Sequence, residues 1–173
     1  MSTMDFETCK NQKLIRDDTP DKAKVSSLLK DANNKFSTAN SIELTKNSAS
    51  SIITLHYDSI REQLAAIASK EGFKINNHEC YKAFLHSILK KPKIAIQFDK
   101  ARRIRNRINY YGSDLQKEKA QEVILLGEMK QSLLSLPLLS TALNSRDLRN
   151  LKLFITAKPL ERRPISNQYN RKT

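Results

Sequence analysis

Apolar residues recur three and four positions apart along most of the chain up to Leu136, and each run of that rhythm predicts one amphipathic helix. Val25, Leu28, Leu29, Ala32, Phe36, Ala39 and Ile42 predict a first helix of about 25 residues, opened by Thr19 as cap and Pro20 as the first helical residue. Ile52, Ile53, Tyr57, Ile60, Leu64 and Ile67 predict a second, capped at Asn47 or Ser48 and carried to Lys70, with Gly72 placed to stop it. The matched lengths and short join predict an antiparallel pair. Asn76, with Glu79 three places on, resembles a capping box, and Tyr81, Phe84, Leu85, Ile88 and Leu89 supply the apolar face of a third helix.

A Lys-rich link interrupted by Pro92 leads to a fourth helix, expected from near Ala95. On it Ala101, Ile104, Ile108 and Tyr111 fall within one arc of roughly eighty degrees, narrow enough to press against neighbouring helices. Gly112 is placed to end it, and Ala120, Val123, Leu126, Met129, Leu133 and Leu136 predict a fifth helix before Pro137. The expected fold is all-α, an up-down bundle of four to five helices over residues 19–137. Residues 1–18 are read as an N-terminal segment packed on the bundle by Phe6, Leu14 and Ile15. Residues 138–173 are read as a basic C-terminal extension ending in a flexible tail.

Composition agrees with a helical reading, since three glycines and five prolines in 173 residues are too few for the turns of a sandwich or barrel. The excess of 31 Lys and Arg over 18 Asp and Glu changes the picture more, because a formal charge of +13 favours a polyanion or an acidic protein as partner. Cys9 and Cys80 have neither the spacing of a metal site nor that of a disulfide framework, which leads to the expectation of a reduced, cytoplasmic protein. No window is long and apolar enough to predict a membrane span, and the acidic start predicts no secretory leader.

The charge is densest on the fourth helix, where Lys100, Arg102, Arg103, Arg105 and Arg107 surround the apolar stripe. One reading is that they form the wet face of an amphipathic helix. Another is a phosphate-binding strip. Arg105 borders the apolar arc, and partial desolvation there would make its guanidinium a good bidentate phosphate ligand. His78, in the first turn of the third helix, faces the positive end of the helix dipole and is expected to be neutral and hydrogen-bonded. Glycine-rich phosphate loops, Gly-x-Ser-x-Gly, His-Glu-x-x-His and metal-type carboxylate clusters are absent from the sequence, and no cofactor or metal is expected.

From Pro20 to Leu136 the chain resembles the HEPN family of small helical-bundle proteins. The resemblance is carried by the long helical pair, by N-N-H-E-C-Y-K-A-F-L opening the third helix, and by A-R-R-I-R-N-R-I-N-Y-Y-G on the fourth. It implies a homodimer in which the signature helices of two protomers face a shared cleft, and a metal-independent ribonuclease site of Arg, a following polar residue and a His. Carried over, Arg105 matches the Arg and Asn106 the polar residue, whereas Tyr110 stands where the His would be. Cleavage through a ribose hydroxyl needs a group titrating near neutrality, and tyrosine, with its ordinary pKa near 10, is a poor substitute. The expectation is therefore RNA binding, with Arg102, Arg103 and Arg107 as phosphate contacts and ribonuclease activity in doubt. The alternative is a homodimeric protein-interaction module, for example the partner of a nucleotidyltransferase in a toxin–antitoxin pair.

Overall fold

The computed structural model describes residues 4–111 other than Leu44 and Lys46, with side chains as far as Ile108. The expected fifth helix and the extension over residues 138–173 lie outside the described residues.

The chain is organised round α3 (Ala49–Lys70). Ile53, Tyr57, Ile60, Leu64 and Ile67 are buried on it, but so are Ser59, Gln63, Ala66 and Ala68, so the helix is enclosed on most of its circumference. Its start follows Ser48 as expected, although the Ser48 hydroxyl caps no α3 amide and instead accepts from the Thr45 amide at 2.8 Å. Its end is also as expected. Gly72 takes φ +80, and its amide folds back on the Ser69 carbonyl at 3.3 Å.

α2 (Lys22–Ser41) lies along α3. The Ser59 hydroxyl donates to the Ala32 carbonyl at 2.7 Å, and the Phe36 ring meets His56 edge-on with centroids 5.0 Å apart. Ala32 meets Ser59, and Phe36, one turn later on α2, meets His56, one turn earlier on α3, so the pair is antiparallel. An ion pair between Lys35 and Glu62 bridges the same seam. The helix opens two residues later than the Thr19–Pro20 signal predicts, because the Asp21 carboxylate caps it by accepting from Ala23 N at 2.8 Å and Lys24 N at 3.1 Å.

The N-terminal segment forms a short helix, α1 (Phe6–Asn11), capped by Asp5, whose carboxylate accepts from the Thr8 amide at 2.7 Å. Hydrogen bonding to that amide holds the Asp5 carboxyl below its ordinary range. A strand follows, β1 (Ile15–Asp17), paired antiparallel with β2 (Phe73–Ile75) so that Ile15 faces Ile75 and Asp17 faces Phe73. The protein is thus mostly helical, compatible with the all-α expectation, and this small two-stranded sheet is an addition to the helices. Three-residue strands carry too little alternation to register in a periodicity read over longer windows.

α4 (Cys80–Ser87) and α5 (Pro92–Tyr111) close the described fold. Pro92 does not interrupt the approach to α5 but begins it, the first helical position being one where a missing amide hydrogen costs nothing. Phe84, Leu85, Ala95, Phe98, Ala101, Ile104 and Ile108 complete the core, with Phe98 stacked on Tyr57 at 5.6 Å and edge-on to Tyr81 at 5.9 Å.

Cys9 of α1 and Cys80 at the head of α4 are joined by a disulfide across 71 positions of sequence, their Cα atoms 6.0 Å apart. This corrects the reading of the two cysteines as unpaired, and with it the premise for a reducing compartment, since disulfides persist chiefly where the surroundings are oxidising. The spacing rules address clustered cysteines and have no purchase on two that meet only through tertiary structure. Among the described residues no helix is long and apolar enough to cross a membrane.

A basic face on the last described helix and a tyrosine–histidine pair beside it

Two differently built surfaces share α5. Lys93, Ile96, Lys100, Arg103 and Arg107 are all exposed and follow one another at intervals of three and four, which places them on one face of the helix. At 1.5 Å per residue that face runs for roughly 21 Å. Ala101, Ile104 and Ile108 take the buried side, as their spacing predicts.

The arginines expected to contact phosphate therefore separate. Arg103, with its side chain 66% exposed, and Arg107 lie on the open face. Arg102 turns inward, only 14% exposed, and donates to Asp99 Oδ1 from Nε at 3.1 Å and from a terminal nitrogen at 2.8 Å. It also stands 3.7 Å from Glu79. Asp99 is itself buried and gathers two further cations, Arg103 at 3.0 Å and Lys82 at 3.6 Å. Burial alone would push the Asp99 carboxyl up, but the Arg102 hydrogen bond, with the charges of Arg102, Lys82 and Arg103, outweighs it and holds the group below its ordinary range. The cluster ties α4 to α5 through Lys82, which reaches Asp99, and through Arg102, which approaches Glu79 at the head of α4. Asp99 was not among the residues singled out from the sequence, although its spacing of three and four from Arg102 and Arg103 is a readable signal.

Arg105 is half-buried, as its place beside the apolar arc implies, with its guanidinium carbon 5.9 Å from the centre of the Tyr57 ring. Asn106 is also half-buried. Tyr110 belongs to α5, but its side chain lies outside the described residues. Tyr57, from the middle of α3, brings a second group to Arg105. Its hydroxyl and His78 Nδ1 are 3.1 Å apart, and the two rings lie 5.9 Å from centre to centre. His78 is held by the turn before α4, where the Asn77 side-chain oxygen accepts from the Glu79 amide at 2.7 Å.

Burial lowers the pKa of His78, and the positive charges of Arg61, Arg105 and Arg102 lower it further against the opposing charge of Asp58. The ring is therefore neutral at pH 7, as its position at the head of a helix suggests. Burial raises Tyr57 well above the ordinary phenol range despite the nearby arginines, so its hydroxyl stays protonated and cannot serve as a base. His56 lies in the α2–α3 seam and His86 is exposed in the last turn of α4, so among the described residues His78 is the imidazole brought toward Arg105. Also among the described residues, no three His, Cys, Asp or Glu side chains gather as a metal site.

No family model, curated protein or solved structure matches the chain.

Proposed function

We propose that this is a HEPN-like RNA-binding protein that engages the phosphate backbone through the exposed face of α5. The observation that carries the reading is the exposed row Lys93, Lys100, Arg103 and Arg107, interrupted only by Ile96, on one side of a helix whose other side is core. A rigid row of cations tracks a polyanion with little ordering cost, and each phosphate neutralised releases counterions. Metal-independent cleavage is not part of the core reading, because Tyr110 occupies the position of the family's His. Cytoplasmic RNA is the expected ligand. In that compartment the Cys9–Cys80 bond would rely on the complete burial of both residues to resist thiol exchange.

The test is fluorescence anisotropy of a mixed single-stranded RNA pool against the full chain at increasing salt, with EDTA present and intact RNA checked on a gel. Lys100→Glu/Arg103→Glu/Arg107→Glu is expected to weaken binding more than tenfold and to flatten the salt dependence by about two in log–log slope, at ~0.7 per phosphate released from a single strand. Unchanged affinity in that variant would overturn the reading.

A protein partner is the second reading, and one observation favours it: Ile96, 67% exposed, sits inside the same basic row. A second copy of the chain, or an acidic nucleotidyltransferase of a toxin–antitoxin pair, would cover such a mixed face.

A further inference from the structure

The exposed row leaves unexplained why a tyrosine, a histidine and an arginine from three separate elements converge beneath it. Tyr57 comes from α3, His78 from the turn before α4, and Arg105 from α5. Core packing alone would be served by apolar residues in these places. Instead the Tyr57 ring carries Arg105 against it at 5.9 Å and holds His78 Nδ1 at 3.1 Å. With Nδ1 committed to the tyrosine, Nε2 is the ring nitrogen left for a ligand, and where the Tyr57 hydroxyl donates to Nδ1 the neutral ring carries its proton on Nε2. A forked cation and an imidazole N–H flanking one aromatic ring match an oxyanion such as phosphate.

We infer that Tyr57, His78 and Arg105 form a discrete phosphate-group site, distinct from the exposed row, in which the Arg105 guanidinium and His78 Nε2 hold the phosphate oxygens and Tyr57 fixes the imidazole. The assignment rests on the RNA reading only for the source of the phosphate, which is a terminal or backbone phosphate of RNA or a free phosphate. Its affinity depends on pH. Without ligand the charges acting on His78 are Asp58 and Arg61 on α3 and Arg102 and Arg105 on α5, with Glu62, Glu79 and Asp99 set against those arginines. Much of that charge is internally paired: Arg61 stands 3.7 Å from Asp58 and 3.4 Å from Glu62, and Arg102 is bound to Asp99. An added phosphate brings unpaired negative charge, so it favours the imidazolium and raises the midpoint of His78. By linkage the site binds more tightly as pH falls through that midpoint.

The measurement is the proton titration of the His78 ring signals by NMR in the full chain. It is run without ligand, then with inorganic phosphate, a 5′-phosphorylated oligoribonucleotide and its 5′-hydroxyl twin. Phosphate is expected to raise the midpoint by about one pH unit, a tenfold linkage. Arg105→Gln should abolish the rise, and Arg105→Lys, which keeps the charge and guards against loss of fold, should retain part of it. A rise with the phosphorylated strand alone assigns a terminal phosphate, and a rise with both strands assigns the backbone. A rise with inorganic phosphate while neither strand binds keeps the site and removes the RNA reading. Binding of either strand with no movement of His78 under any ligand overturns the site and leaves the RNA reading standing. A rise that persists in Arg105→Gln also overturns it, since a diffuse field would then be the cause.

Discussion

Asp99 is the side chain on which the α4–α5 seam turns, because one carboxylate answers Arg102, Arg103 and Lys82 from a buried position. Asp99→Asn keeps the shape and removes the charge, leaving Arg102 enclosed with Glu79, at 3.7 Å, as its remaining ion-pair partner among the described residues. The expected loss is about 2 kcal/mol of unfolding free energy at neutral pH, measured by urea denaturation. The pH dependence has a definite sign. Since the folded-state pKa lies below the ordinary carboxylate range, the Asp99 contribution is fully present above that range and fades as pH falls through the folded value. The Asn variant should therefore lose less stability than the parent on acidification through that window.

At the scale of elements, the helices were legible and the joints were not. α3 could be read from end to end because its stop rests on one residue type. Gly72 at φ +80 is a conformation a side chain resists, and an added Cβ would also stand 3.4 Å from the Asp18 carbonyl. Gly72→Ala should cost about 1 kcal/mol in thermal or denaturant unfolding while leaving the helical circular dichroism unchanged. The start of α2 was misplaced because Thr19–Pro20 and Asp21 both offer start signals within three residues, and the winner is the one whose carboxylate reaches two amides. Sheet formation between β1 and β2 was invisible for a different reason. Its partners lie on either side of the whole α2–α3 pair, and nothing local in I-R-D or F-K-I states that they meet. The candidate site divides in the same way. The α5 pattern announced the buried stripe and the half-buried Arg105, whereas the Tyr57–His78 bond joins positions 21 residues apart and required the fold.

For the whole molecule, the Cys9–Cys80 link is the strongest single constraint among the described residues, because it closes a loop containing α2, α3 and the sheet. Closing a loop of that length removes unfolded-state entropy worth about 4 kcal/mol in the chain-entropy account. Cys9→Ser/Cys80→Ala is expected to lower stability by up to that amount in guanidinium unfolding. Reduction of the parent protein under denaturing conditions, followed by refolding with reductant present, should reproduce the loss. A variant as stable as the parent would mean that the core alone holds α1 to α4. The same bond alters how the chain carries a load. When the described segment is drawn out by its two ends, tension entering at α1 crosses directly to α4 through sulfur, and the 71 positions between the cysteines are spared. At ~3.4 Å per extended residue, roughly 240 Å of contour length is withheld from any unfolding machine that pulls from a terminus. The α2–α3 pair behaves mechanically as a sealed bight, which such a machine must pass as a doubled strand or leave intact.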